Sequence, residues 1–332
     1  MTSLPGSRRA EWSFLGEAAS GLGFAALGVA AAGPVPEEAR RFFEDWLAAG
    51  RHGGMGYLER HRAQRIDPRH ERMVPDASAV ICAALPYASG AARGGFWDHV
   101  AAHARGRDYH ATMRERLGSL ARAIEDRYPE CRWRVFVDTA PILERSWAVA
   151  AGLGTIGRHG GLIVPEVGAR VVLGEIVCAG TPSPEGSPAA PRFEQCADCD
   201  RCVAACPTGA IGARGEIDAR RCLSYQTIEH RGSEPPPEVG RTARLVFGCD
   251  ECTAACPLES PSAETGLEEP QTLGPTTMTL ERLVDAAPGE IEAILAGTCI
   301  ERSGASIIER NARAIALRRG RSAPTITGTK EP

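Results

Sequence analysis

The sequence predicts a mixed α/β (α+β) chain: an N-terminal α/β domain, a small cysteine-rich module and a short helical C-terminus. Three observations predict it. Residues 1–180 alternate short apolar runs with segments of helical period. Thr181 to Arg192 reads T-P-S-P-E-G-S-P-A-A-P-R, a composition that marks a linker. Eight of the 12 cysteines fall between Cys196 and Cys256. At 332 residues, 43% hydrophobic and 24% charged, the chain is globular and long enough for about two domains. The boundaries fall at 1–180 for the α/β domain, 181–192 for the linker, 193–260 for the cysteine module, and 261–332 for a loop, short helices and a basic tail.

The first elements are an amphipathic helix over Glu11 to Ser20 and a short strand through Gly23 to Val29. Pro36 to Ala49 carries Phe42, Phe43, Trp46 and Leu47 at helical spacing, and Gly50 closes it. A flexible Gly53-Gly54-Met55-Gly56 turn then leads into a basic run from Arg60 to Arg72, which reads either as a solvated helix face or as an anion site. Ala77 to Tyr87 is short, apolar and partly β-branched, as a buried strand is. From Asp108, a helix with Met113, Leu117, Leu120 and Ile124 on one side runs toward Pro129, and His110 reads as a packed or capping histidine, ahead of a substrate-facing one.

Arg132 to Asp138 is apolar on both faces, which predicts a central strand between covered layers. It ends on Asp138, and Thr139-Ala140-Pro141 opens a helix from Ile142 to about Ala151. A carboxylate there is either a helix N-cap or a ligand group at a strand end. Gly152-Leu153-Gly154-Thr155-Ile156-Gly157 follows a helix rather than a strand, so it is a helix stop and a turn where a large flat ligand approaches, not a dinucleotide loop. Strands are expected at Leu162 to Val164 and Arg170 to Cys178, and one or two short helices over Leu280 to Ala296. A basic helix through Arg302, Arg310, Arg313 and Arg318 closes the chain, either as a solvated surface or as an RNA backbone contact.

The cysteine module carries the strongest chemistry. Cys196 to Pro207 reads C-A-D-C-D-R-C-V-A-A-C-P, the spacing with which bacterial-type ferredoxins bind iron–sulfur clusters, the fourth cysteine serving the other cluster of the pair. The partner run C-D-E-C-T-A-A-C-P lies at Cys249, one ligand short, and Cys222 is the one cysteine between the runs. Two 4Fe-4S clusters follow: Cys196, Cys199, Cys202 and Cys256 for the first, and Cys206, Cys222, Cys249 and Cys252 for the second. A tetrahedral zinc site is the alternative, but four thiolates so tightly spaced are crowded for it. Cys82 and Cys178 lie in apolar strands and read as small buried hydrophobes.

A formal charge of −4 excludes a uniformly basic nucleic-acid coat and leaves only local patches. No apolar run reaches the ~18 residues of a membrane helix. Ser7-Arg8-Arg9 imitates an export signal, but Glu11 and Glu17 interrupt the apolar segment such a signal needs, so a cytoplasmic location is expected.

Clusters store and pass single electrons. Beside an α/β domain they serve either a reductase with an organic or organometallic cofactor or a simple ferredoxin-like carrier. Several independent stretches decide between them: W-L-A-A-G-R-H-G-G-M-G-Y-L at Trp46, R-G-R-D-Y-H at Arg105, V-D-T-A-P-I-L-E-R at Val137, A-G-L-G-T-I-G at Ala151, C-P-T-G-A-I at Cys206, C-L-S-Y-Q-T-I-E at Cys222, F-G-C-D-E-C at Phe247 and R-N-A-R-A-I-A-L at Arg310. Together they resemble the epoxyqueuosine reductases, from end to end of the chain.

The resemblance implies a nitroreductase-like domain that binds cobalamin with its lower base detached, next to the first cluster, and two 4Fe-4S clusters fed by an external donor of ferredoxin or flavodoxin type. Consistently, the D-x-H-x-x-G motif that ligates cobalt from the protein is missing. The implied substrate is tRNA carrying epoxyqueuosine, whose epoxide becomes an alkene by two electrons and two protons with release of water. The proton donor would be Asp138, desolvated enough to raise its pKa. Arg60, His159 and Ser224 fall at implied cobalamin contacts, and a monomer is expected. Gly154 to His159 departs from the family's G-W-I-G-K-N, and Leu258-Glu259 from its C-P-W-N. The resemblance closes soon after R-N-A-R, without a helical repeat extension, so a smaller tRNA grip is expected. Reductive dehalogenases share the cofactor set and are the alternative within cobalamin chemistry.

Overall fold

The computed structural model describes residues 10–87, 94–185, 194–212, 215–260, 267 and 277–321. The Ser7–Arg9 motif, most of the predicted linker, most of the loop to Thr276 and the tail after Arg321 lie outside these residues. Six strands are formed: β1 (Ala26–Ala31), β2 (Ala77–Pro86), β3 (Arg132–Phe136), β4 (Thr155–Ile156), β5 (Leu162–Ile163) and β6 (Val171–Ala179). The helices of the first domain are α1 (Phe14–Ala18), α2 (Glu37–Ala48), α3 (Tyr57–Arg60), α4 (Arg62–Ile66), α5 (Tyr109–Arg127) and α6 (Glu144–Ala150).

The main sheet has the order β1-β2-β6-β3, and each of its pairs is antiparallel. Side chains alternate across a strand, and β2 shows the consequence. Ala79, Ile81, Ala83 and Leu85 face one core with Met113, Leu117, Leu120 and Ile124 of α5, while Val80, Cys82 and Ala84 face another with Ile142, Trp147 and Ala148 around α6. Both faces are covered, so β2 is apolar from Ala79 to Pro86. Gly28 in β1 is required by packing: a Cβ there would lie 2.2 Å from the Ala151 carbonyl oxygen at the end of α6. β3 corrects one expectation. It is an edge strand with exposed Arg132 and Arg134, not a central one.

The cysteine module contributes α7 (Glu194–Ala197), α8 (Arg201–Ala205), α9 (Leu223–Ile228), α10 (Pro237–Thr242) and α11 (Glu251–Ala254), followed by α12 (Leu280–Asp285), α13 (Pro288–Leu295) and α14 (Ala305–Arg321). Phe96, Trp97 and Val100, which precede α5, pack with Leu223, Phe247, Leu283, Ile308 and Ile315 in a separate core. The Ala101 N–H donates to the Phe247 carbonyl at 2.9 Å, and the Val246 N–H to that of His99 at 2.8 Å. The segment after β2 therefore belongs to the second core, although the sequence groups it with the first domain.

In the closing helix one arginine turns inward, while Arg313 and Arg319 stay exposed. Arg310 is buried in α14 and donates to the carbonyls of His230, Gly232 and Gln226, while fully buried Asn311 donates to those of Thr227 and Val246. Neither side chain is offered to a nucleic acid.

Candidate active site

Asp138 follows the buried end of β3 and adopts φ 46°, a left-handed conformation that only Glu166 shares among the described non-glycine residues. It caps no helix: α6 starts at Glu144, with Leu143 at the N-cap. The side chain turns instead to His110, whose Nε2 lies 3.1 Å from Asp138 Oδ2, and to Arg302, whose Nη1 lies 3.4 Å away. The turn is braced from outside, since Arg65 donates to the carbonyls of Ala140 and Ile142.

His110 is buried because it occupies the first turn of α5, on the helix side that enters the protein. Asp108 caps that helix by accepting the His110 N–H at 3.0 Å, and the same oxygen lies 2.6 Å from Nδ1. The imidazole thus faces a carboxylate on each ring nitrogen. Only the doubly protonated ring donates to both. Burial pulls its pKa down, but the hydrogen bonds to Asp138 and Asp108 outweigh that and leave it above the ordinary histidine value. Burial in turn pushes Asp138 up, while the His110 hydrogen bond and the Arg302 charge override it and leave the carboxyl below its ordinary value. The expected upward shift is therefore corrected: at rest the proton sits on His110.

Other groups ring this pair. Tyr109 stacks on His110 at 4.1 Å between centroids. Arg302 also reaches Glu229 at 3.5 Å. Burial drives the Cys299 thiol up to about 12, with Asp108, Arg302 and Asp138 nearby. Desolvation, reinforced by the Asp138 charge, pushes Glu144 up to about 7 although part of its side chain stays accessible, as in a concave recess. Sequence reasoning singled out Asp138 but missed the roles of His110, Arg302 and Glu144. The R-G-R-D-Y-H stretch was the available signal for His110; nothing local marks Arg302.

Arg60 ends α3 and Ser224 sits in the first turn of α9. The glycine turn that leads into α3 is tied to α9, where the Gly54 N–H donates to the Tyr225 hydroxyl at 2.6 Å. His159 lies apart, 8% exposed, its Nδ1 accepting the Gly161 N–H at 3.0 Å. It lines a cavity of about 70 Å³ together with Cys206, Cys222, Cys249 and Cys252. In the neighbouring glycine stretch, Gly154 is required by packing: a Cβ there would sit 2.0 Å from the Ile163 carbonyl oxygen, beside the β4–β5 hairpin.

The thiols sort into two groups. Burial, then the proximity of Cys249, Cys222 and Cys206, pushes Cys252 up to about 12. Cys256 is raised by burial and also feels Cys196 and Cys199. Thiolates gathered this way repel one another until a cationic centre joins them, which suits iron–sulfur ligation.

Two family profiles match the chain: one described as a 4Fe-4S double cluster binding domain over residues 195–259, the other as epoxyqueuosine reductase QueG, DUF1730, over residues 65–139. Among curated relatives, an epoxyqueuosine reductase of Gloeobacter violaceus is 38% identical over 308 residues, 89% of this chain and 92% of the relative. One from Xanthomonas campestris is 40% identical over 210 residues, 61% of this chain and 58% of the relative. Among solved structures, an epoxyqueuosine reductase from Streptococcus thermophilus shares the fold with TM-score 0.78 at 24% identity, covering 92% of this chain and 80% of that one. An epoxyqueuosine reductase with a modified tRNA stem loop matches at TM-score 0.79 and 24% identity, over 94% and 82% of the two chains.

Proposed function

Because the chain belongs to the epoxyqueuosine reductase family, we propose that it reduces the epoxide of epoxyqueuosine in tRNA to the alkene of queuosine, with Asp138 delivering protons to the departing oxygen. It is an oxidoreductase with a double 4Fe-4S module. The observation that carries the proposal is the Asp138 carboxylate held between His110 and Arg302.

The reaction consumes two electrons and two protons and releases the epoxide oxygen as water. Opening the ring loads negative charge onto that oxygen, which needs a proton and a nearby cation. Arg302 is the cation. Asp138 is the group that reaches outward, 38% exposed at its side chain, while His110 behind it stores the proton. The proton on His110 crosses the 3.1 Å hydrogen bond to Asp138, which hands it to the oxygen and is left ionised again, with His110 neutral. Asp108, a third exposed on the far side of the ring, connects His110 to solvent and returns the proton. A buried histidine between two carboxylates thus supplies both protons in turn.

The ligand sets of the two clusters are proposed as Cys196, Cys199, Cys202 and Cys256, and Cys206, Cys222, Cys249 and Cys252. Arg60 on α3 and Ser224 on α9, with a guanidinium, hydroxyls and backbone N–H groups, suit the carboxamide rim of a cobalamin, and His159 is proposed on its cluster side. When bound, cobalamin supplies a reduced metal centre that takes electrons from the clusters and passes them to the ring carbon. A ferredoxin- or flavodoxin-type donor, a monomeric state and a cytoplasmic location complete the proposal. Among the described residues no helix is long and apolar enough to cross a membrane.

Asp138→Asn tests the assignment. Turnover is expected to fall by about 10²–10⁴-fold with cobalamin and cluster absorbance unchanged, because an amide neither accepts nor relays the proton. Parental turnover in that variant would remove Asp138 from the chemistry.

A further inference from the structure

We infer that Glu144 is a positioning residue for the reaction: its carboxylate holds the Asp138 backbone N–H and thereby fixes the direction in which Asp138 presents its side chain. The inference rests on Asp138 being the proton-delivering group.

Asp138 stands at φ 46°, where an L residue is strained and needs support from its surroundings. Its neighbours supply only short-range bonds: the Thr139 N–H donates to the Val137 carbonyl at 2.6 Å and the Ile142 N–H to that of Ala140 at 2.9 Å. The Asp138 N–H itself donates to Glu144 Oε1 at 2.7 Å. That length is at the short end for N–H to O, and Oε1 accepts in either protonation state of the carboxyl, the bond gaining charge assistance once Glu144 ionises.

The grip is anchored on something rigid. Glu144 is the first residue of α6, whose Trp147 and Ala148 are buried against the sheet. Arg145 beside it donates to the Gly160 carbonyl. The seven-residue loop from Val137 to Leu143 is therefore tied at both ends, by β3 before it and by Glu144 closing back onto its second residue. Arg65 braces the later carbonyls of the loop, but the Glu144 tie is the one that holds the peptide ahead of Asp138 against rotation back to negative φ. That rotation would turn a side chain that must meet both His110 and the substrate. A displacement of about 1 Å at a reacting group costs about 10²-fold in rate.

The test uses the full chain with clusters and cobalamin bound, and compares Glu144→Leu, Glu144→Asp and Glu144→Gln. Hydrogen–deuterium exchange of the peptide spanning Asp138 is read alongside kcat and KM. Leu has no acceptor and Asp keeps the charge but is one methylene short, so both are expected to speed exchange there and lower kcat by about 10²-fold, with KM within about threefold. Gln keeps an acceptor oxygen in place and is expected to restore protection, with kcat within about tenfold of the parent. Unchanged exchange in the Asp variant, or a Gln variant as impaired as Leu in both readouts, would overturn the inference. Should Leu lose its clusters, the Asp and Gln pair decides alone. If Asp138→Asn turns over normally, the proton-delivery reading fails while the exchange result still judges the Glu144 contact by itself.

Discussion

Asp138 and His110 divide one task, and the division makes it titratable. His110 stays protonated above the ordinary histidine value of 6.5 and Asp138 stays ionised below the ordinary value of 3.8. The relay is charged between these limits. The pH profile of kcat is expected to fall on the alkaline side, above 6.5, as His110 loses its proton. A His110→Gln variant should lose that limb and run about 10²-fold or more slower at its best pH. Stability follows the same pair with opposite signs. The His110 contribution is complete below 6.5 and fades as pH rises through its raised folded value; the Asp138 contribution is complete above 3.8 and fades as pH falls. The excess Tm of the parent over His110→Gln should therefore peak between those values, and thermal denaturation across pH checks it. Sequence reasoning reached Asp138 because a carboxylate at a strand end is visible locally. It placed His110 as packing, since helical period reveals that a side chain is buried but not that a carboxylate 28 residues later meets it.

At the scale of elements, strong periodicity was readable and pairing was not. The α2 and α5 helices, β2 and β6 lie where apolar spacing and glycine stops put them, and the two short helices before α14 appear as expected. The rank of β3 within the sheet was misread because alternation of Trp133, Val135 and Phe136 describes one strand, whereas an edge is defined by the strand that is missing beside it. Within α14 Arg310 departs from a solvated face: an arginine at helical spacing looks solvated until carbonyls of other segments take its hydrogen bonds, whereas Arg313 and Arg319 stay exposed. Asn311 is the sharpest case, fully buried and bonded to the Thr227 and Val246 carbonyls at 2.9 and 2.8 Å. Asn311→Ala strands both carbonyls and opens space, so a loss of about 2–4 kcal/mol is expected in chemical denaturation monitored by far-UV dichroism. A loss under about 0.5 kcal/mol would mean that water replaces the amide without cost.

Across the whole molecule, the catalytic pair lies on a seam between the two parts. Asp138 and His110 come from the sheet domain, while Glu229 comes from the cysteine module and Arg302 from the segment that follows it. Asp108 donates its own N–H to Gly297 across the same seam at 2.9 Å. Cys222 lies seven positions before Glu229, at the head of α9, so one short helix leads from a proposed cluster ligand to the partner of Arg302. In the proposed reaction, electrons and protons would thus come to the site from opposite parts. The cysteine runs were legible as spacing alone, whereas the seam needed the fold. The most direct measurement is to purify the protein without oxygen, load it with cobalamin, reduce it, incubate it with tRNA carrying epoxyqueuosine, and weigh the digested nucleosides by mass spectrometry. Conversion to a nucleoside lighter by one oxygen is the predicted result. An unchanged nucleoside, with both clusters and cobalamin confirmed in place, would contradict the assignment of this site to epoxide reduction.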